Sequence, residues 1–290
     1  MKKIITLSLL FTLAVSMFAG CAAVNTSGFN SAKDIIVVSR EDGSGTRGAF
    51  IELFGIEQKN ADGTRKDLTT KEAIIARQTD VMMANIASDK YAIGYISLGS
   101  LNNTVKAIQI EGVPPSAENV KNGTYPVVRP FNIATKGEAV GLARDFIDFI
   151  LSADGQLVVA KSYIAVDENV PAYTGGKPSG KIVVAGSSSV TPVMEKLKEA
   201  YLAANPNAAI EIQQSDSSAG MTGALDGTCD IGMASRELKS SELQQLTSIQ
   251  IALDGIAVIV NKENPAVNLT KEQIKAIFTD ATRTWSVTAQ

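Results

Sequence analysis

The 290-residue chain contains no histidine. That removes the side chain most often used as a general base near neutral pH, and the commonest metal ligand. Cysteine is scarce as well, with Cys21 and Cys229 only. Cys229 sits in apolar surroundings, which argues against a disulfide framework. Excess positive charge is missing: 27 Lys and Arg stand against 30 Asp and Glu, a formal net charge of −3. This balance argues against nucleic acid and anionic membrane surfaces as partners. Any anion bound by such a chain must be held by local dipoles rather than by a global field. Long apolar runs are lacking too. The most apolar stretch, Ile4 to Phe18, is interrupted by Thr6, Ser8, Thr12 and Ser16 and is too short for a membrane span.

What that stretch does offer is a targeting signal. Lys2 and Lys3 precede it, and Phe18-Ala19-Gly20-Cys21 ends it with small residues before a cysteine, similar to a bacterial lipoprotein cleavage site. The expectation is a signal peptide over residues 1–21, lipid attachment at Cys21 and a polar tether over residues 22–33. An ordinary secretory peptide cut near Ala19-Gly20 is the alternative. At 290 residues with 45% hydrophobic content, the chain is long enough for two lobes.

The stretch that organises the rest is Ser39-Arg40-Glu41-Asp42-Gly43-Ser44-Gly45-Thr46-Arg47. Ile35 to Val38 leads into it and Ala49 to Phe54 follows, which reads as strand, glycine-hydroxyl loop, helix. Glycines let backbone N–H groups approach a ligand, Ser44 and Thr46 add hydroxyls, and a helix N-terminus adds partial positive charge. Arg40 offers a bidentate fork; Asp42 can hold that fork or accept a proton-bearing oxygen. Taken singly, such a loop also reads as a capped helix after a turn. Similar devices recur at Gly186-Ser187-Ser188-Ser189-Val190-Thr191-Pro192 and at Ser215-Asp216-Ser217-Ser218-Ala219-Gly220, while an apolar run from Ile231 ends in Ser235-Arg236. In open α/β sheets ligands sit beyond the carboxyl ends of strands, where such loops converge.

Elsewhere the pattern predicts a helix over 69–85, opened by a Thr69/Glu72 capping box, after irregular chain over 53–67. Pro126 and Pro130 put an extended segment over 125–135 at a sheet edge. Helices are expected over 142–151, from Ser152 to 163, after an N-cap at Thr191, and over 271–278 behind a Thr270/Gln273 box. Val166 to Gly180, rich in proline and glycine, reads as a linker.

Ser39 to Arg47, Ala92 to Gly99, Tyr125 to Pro130, Gly186 to Pro192, Asp230 to Leu238 and Ala252 to Val258 together resemble the phosphate-binding protein of the bacterial phosphate ABC importer. The resemblance spans Asp34 to Val287 and implies an α/β, two-lobed type II periplasmic binding protein fold. The order departs from the family: its opening Gly-Ser-Ser block stands here in the second half, and its middle block opens the chain. A circularly permuted fold follows, with linker 167–180 joining the family's usual ends. The implied lobes are residues 34–102 with 257–290, carrying the Ser39–Arg47 loop, and residues 103–256, with crossings near 101–104 and 254–258.

By the same resemblance the phosphate-binding groups are Arg40, Asp42, Ser44, Gly45, Thr46, Ser188, Ser189, Ser217 and Arg236. A branch of the family has Asp at the position of Arg236, where it accepts the phosphate proton. The acceptor is therefore open here. Asp42 takes that part or only clamps Arg40; Arg236 reaches the ligand or pairs with Glu237 or a neighbour. The implied function is extracytoplasmic capture of inorganic phosphate and delivery to the membrane subunits of an ABC permease. It implies a monomer, anchored by lipid alone, with no cofactor, metal, nucleic acid or catalytic residue. Another tetrahedral oxyanion such as sulfate is the alternative, and a buried proton acceptor separates the two, since only phosphate carries a proton at pH 7. A phosphoester hydrolase using Ser44 or Ser189 would lack both a histidine base and a recognisable metal cluster.

Overall fold

Strands buried on both faces are written as unbroken apolar runs, and the helices covering them carry one apolar stripe. The chain alternates the two. The computed structural model describes residues 28–60, 65–167 and 169–288; Cys21 and the expected signal peptide lie outside the described residues. The first part runs β1 (Ile36–Arg40), α1 (Gly45–Leu53), the hairpin β2 (Glu57–Lys59) and β3 (Arg65–Asp67), then β4 (Ile74–Ala76), α2 (Thr79–Ser88), β5 (Ala92–Ser97), β6 (Lys106–Ala107), β7 (Gln109–Ile110) and α3 (Ala117–Lys121). Next come β8 (Val128–Lys136), α4 (Gly141–Leu151), α5 (Ala153–Val159), β9 (Ile164–Ala165), β10 (Gly180–Ser187), α6 (Thr191–Ala204), β11 (Ala208–Ser215), α7 (Ser217–Asp226), β12 (Ile231–Ala234) and α8 (Ser240–Leu243). The long strand β13 (Leu246–Val260) leads back to β14 (Asn268–Leu269) and α9 (Lys271–Phe278).

The main sheet has the order β11-β10-β12-β8-β13-β5-β1-β4. β10 lies parallel to β11 and β12, and β1 lies parallel to β4 and β5. Between these sets β8 and β13 are antiparallel, so β13 follows the direction of β12 and opposes β5. β13 pairs with β8 through its first part and with β5 through its last residues. The two parallel sets therefore aim their carboxyl ends at each other across the middle of β13. That is the geometry in which strand-to-helix loops converge.

Two cores flank the crossing. One buries residues from Ile35 to Val127 and from Ile256 to Trp285, with the Phe50 and Tyr95 rings stacked 3.8 Å apart and Phe278 edge-on to Phe50. The other buries residues from Phe131 to Ala252, including Phe146, Phe149, Val193, Leu197 and Tyr201, the stripes of α4 and α6. The crossings thus lie near 127–131 and 252–256. The expected division at 103 is displaced: Val105, Ile108, Ile110, Val120, Tyr125 and Val127 pack in the first core. β6 and β7 are too short to start a second lobe and pair instead with β13 and β14.

Other expectations also shift. The helix over 69–85 is the edge strand β4 followed by the shorter α2. Ile74 and Ile75 are 48% exposed on that edge, and the buried stripe of α2 is Thr79, Met82 and Ile86. Thr69 makes no capping box; Thr70 N donates to Phe278 O instead. The irregular 53–67 segment holds the β2/β3 hairpin. β8 is interior, not an edge, and Pro130 is tolerated because β12 pairs only with Asn132 to Ala134. Val190 rather than Thr191 caps α6, and the Thr191 hydroxyl donates to Ser187 O. Residues 28–33 are not a free tether, since the Phe29 ring packs 5.0 Å from Tyr91 and Lys90 Nζ donates to Gly28 O. The linker has no regular structure from 166 to 179 among the described residues, but it is pinned. Asp145 accepts from Tyr173 Oη at 2.5 Å, from Gly176 N and from Tyr201 Oη of α6. The α9 capping box forms as expected: Thr270 Oγ1 accepts from Gln273 N, and Gln273 Oε1 from Thr270 N. No helix among the described residues is long and apolar enough to cross a membrane.

Candidate functional site

Four helix starts meet where the two parallel strand sets face each other. Ser44 caps α1, its hydroxyl accepting from Arg47 N, and Thr46 sits fully buried in the first turn. Ser188 and Ser189 lead from β10 into α6, and Ser217 opens α7 behind the N-cap Asp216. Thr79, the first residue of α2, is the fourth. Thr46 Oγ1 lies 2.8 Å from Ser189 Oγ, and Thr79 Oγ1 lies 3.3 Å and 3.4 Å from Ser188 Oγ and Ser189 Oγ. A backbone bond from Ser218 N to Gly43 O, 3.2 Å, ties the α1 and α7 loops. Each helix start brings partial positive charge, and the converging hydroxyls add donors, so the cluster suits a small anion with several acceptor oxygens.

Two buried guanidinium groups complete it. Arg40 ends β1, 1% exposed, with its backbone N–H donating to Tyr95 Oη. Burial pushes the Tyr95 phenol up, so that oxygen stays a neutral hydroxyl. Arg40 Nε donates to Glu41 Oε2 at 2.8 Å and to Ala76 O. Nη2 donates to Glu41 Oε1 at 2.8 Å and to Ser188 Oγ at 3.0 Å, in the opposite lobe. The fork that holds Arg40 is therefore Glu41, not Asp42. The Asp42 side chain is 96% exposed and pairs with Arg47 Nη1. Glu41 also lines a cavity of about 680 Å³ beside the cluster, bordered by Gly43, Arg47, Lys71, Arg77 and Asp216.

The second guanidinium belongs to Arg129 of β8, which faces Asp254 of β13. Its Nε and Nη2 donate to Asp254 Oδ2 at 3.2 Å and 3.0 Å; Nη1 donates to Thr46 Oγ1 at 2.6 Å and to Ser235 O at 3.1 Å. Burial pushes the Asp254 carboxyl up and Arg129 down, while each partner opposes the shift of the other. Arginine does not deprotonate in proteins, so Arg129 keeps its charge, and its two bonds to Oδ2 favour the Asp254 carboxylate against that burial.

Of the nine residues expected in the site, the structure brings together Arg40, Ser44, Gly45, Thr46, Ser188, Ser189 and Ser217. It leaves Asp42 on the surface. It turns Arg236 onto Glu242 through two bonds of 2.8 Å and 2.9 Å, with one longer bond to Ser218 Oγ. Burial raises the Glu242 carboxyl, but the bonds from Arg236 and from the Lys239 N–H, with both positive charges, together hold it below the usual range. Glu41, Thr79, Ser235, Arg129 and Asp254 were not foreseen. Asp254 had a legible signal, as the one charge within the apolar run Ala252 to Val260. Among the described residues no group of three or more Cys, Asp and Glu is placed to hold a metal ion.

Residues 19–154 and 171–289 match the model of the PBP superfamily domain. Phosphate-binding protein PstS 2 of Streptococcus agalactiae serotype V is 52% identical over 292 residues, covering 99% of each chain. Phosphate-binding protein PstS of Bacillus subtilis is 36% identical over 149 residues, 50% of this chain and 46% of the relative. The crystal structure of a phosphate ABC transporter, phosphate-binding protein, from Streptococcus pneumoniae TIGR4 superposes with a TM-score of 0.70 at 45% identity, covering 88% of this chain and 99% of that one.

Proposed function

Because the chain belongs to the PstS family of phosphate-binding proteins within the PBP superfamily, we propose that it captures inorganic phosphate outside the cytoplasm and delivers it to the membrane subunits of an ABC permease. The observation that carries this reading is the meeting of four helix starts, their hydroxyls and Arg40 at one buried point between the lobes. The ligand groups are Arg40, Ser44, Gly45, Thr46, Ser188, Ser189 and Ser217, with Thr79 added. The protein acts as a monomer held to the membrane through lipid on Cys21. The chain order is a circular permutation of the family's usual one, a reading supported by the B. subtilis relative matching over only about half of each chain. No catalytic role is assigned, and the serines of a chain without histidine lack the usual base.

Calorimetric titration of the mature protein with phosphate and with sulfate tests this. The expected phosphate affinity is micromolar or tighter, about 8 kcal/mol or more, which several charge-assisted bonds of roughly 1.5–3 kcal/mol each supply before the cost of closure. A protein that takes up neither anion overturns the reading. The proton acceptor is assigned to Glu41, whose carboxylate is 16% exposed and keeps lone pairs beyond those given to Arg40. Glu41→Gln should raise the sulfate-to-phosphate affinity ratio at least about tenfold, the worth of one such bond at roughly 1.5–3 kcal/mol. An unchanged ratio removes Glu41 from that role.

A further inference from the structure

Arg129 and Asp254 occupy the two crossings between the lobes. The first core stops at Val127 and resumes at Ile256; the second begins at Phe131 and ends at Ala252. The two residues are partners in the β8/β13 register, and their side chains are each 1% exposed. An ion pair this deep is costly to desolvate and is weak evidence of a stabilising role by itself. The orientation of the guanidinium says more. Asp254 holds Nε and Nη2, which aims Nη1 away from the strands and into the loop cluster. There Nη1 divides its hydrogens between Thr46 Oγ1 of the first lobe and Ser235 O of the second.

A hydroxyl carries one hydrogen. When Thr46 Oγ1 accepts from a cation at 2.6 Å, its own hydrogen must point elsewhere, and the polarised O–H becomes a stronger donor. Ser189 Oγ, at 2.8 Å, continues the chain. Ser188 Oγ stands in the same relation to Arg40 Nη2. Each lobe thus has a loop hydroxyl whose acceptor side faces a guanidinium.

We propose that Arg129 is a positioning residue of the anion site: braced by Asp254 at the crossings, it fixes the Thr46 hydroxyl as an outward donor and joins Thr46 to Ser235 when the lobes close. The inference rests on the phosphate-binding reading and names a residue on which that reading does not depend. It explains why a charged pair stands inside two otherwise apolar crossing strands, where Val or Leu would pack at less cost. Lysine at this position could keep one contact with Asp254, but it lacks the planar fork needed to serve Asp254, Thr46 and Ser235 together.

The test uses the mature wild-type protein, Arg129→Lys, Thr46→Val and the double variant, each titrated with inorganic phosphate and melted without it. Arg129→Lys should melt within a few degrees of wild type yet bind phosphate at least tenfold more weakly. The double variant should bind no more weakly than the weaker single one, because both remove the same oriented donor. Phosphate affinity of Arg129→Lys within threefold of wild type overturns the proposal, and so do losses that multiply in the double variant. Should Arg129→Lys fail to fold, Arg129→Met with Asp254→Leu, which leaves no unpaired buried charge, replaces it under the same outcomes. Wild-type protein that binds no phosphate sinks the functional reading instead, so the two failures are distinct.

Discussion

Arg40→Ala is expected to weaken phosphate binding by about 2–4 kcal/mol, roughly 30- to 1000-fold, the cost of truncating a buried charged hydrogen-bonding group. The Arg40 side chain joins three parts of the site. Its Nε and Nη2 hold Glu41, Nε also reaches Ala76 O at the end of β4, and Nη2 crosses to Ser188 on the other lobe. Truncation removes the buried cation at the end of β1 and one of the bonds that join the lobes. It also frees the Glu41 carboxylate, which would then face an incoming anion without a counter-charge. Stability should fall less than affinity, because the Glu41 side chain is 16% exposed and can turn to water. Calorimetry with phosphate, alongside a melt without it, checks both parts. An affinity within threefold of wild type would remove Arg40 from the site.

Arg40 was legible in the sequence because the loop's chemistry is local. Strand, glycine-hydroxyl loop and helix follow within Ile35 to Phe54, and local rules fix their order. The same rules could not tell Glu41 from Asp42 as the partner of Arg40. Both are carboxylates next to the strand end, and which one turns inward depends on how the loop leaves β1. In the structure Asp42 turns out to Arg47, itself held by Asp67 of β3, a hairpin strand that irregular-looking sequence concealed. Thr79 gives no local signal of its own: it becomes a helix start only because β4 takes Ile74–Ala76 out of the helical pattern. Arg129 and Asp254 come together only through the register of β8 and β13, and sheet register between distant strands leaves no trace in a single sequence beyond an out-of-place charge.

The displaced lobe boundary has the same origin. Residues 103–127 contain short strands and a five-residue helix, and such elements carry too little periodicity to show which core they serve. The second lobe read more easily. α4 and α6 have clear apolar stripes, and β10 and β11 pair in parallel along their full length from Gly180 to Ser187. The linker is the opposite case. Its composition suggested a loose connection, yet Asp145 gathers Tyr173 and Gly176 onto the helix layer, a contact that only the folded α4 and α6 create.

Gly45→Val should abolish measurable phosphate binding, a loss beyond about a hundredfold, while leaving each lobe folded. Gly45 opens α1, and a Cβ there would lie 2.4 Å from Ser217 Oγ and 2.8 Å from Ser235 Oγ, both on the opposite lobe. Real side chains do not approach that closely, so the lobes must part. The backbone itself does not require glycine, since Gly45 is not among the positive-φ residues, and valine at a helix start costs under about 1 kcal/mol. The damage should therefore fall on closure rather than folding. Wild-type protein at a hundredfold excess of phosphate over its dissociation constant gains about 2.7 kcal/mol, a melting shift of several degrees. The variant should melt near wild type without phosphate and show no shift with it. Gly45→Ala should fall between, because a single methyl can be met by a small displacement of Ser217. If Gly45→Val still shifts with phosphate as wild type does, the lobes do not close on this point, and the hydroxyls of Ser217 and Ser235 lie outside the ligand's reach.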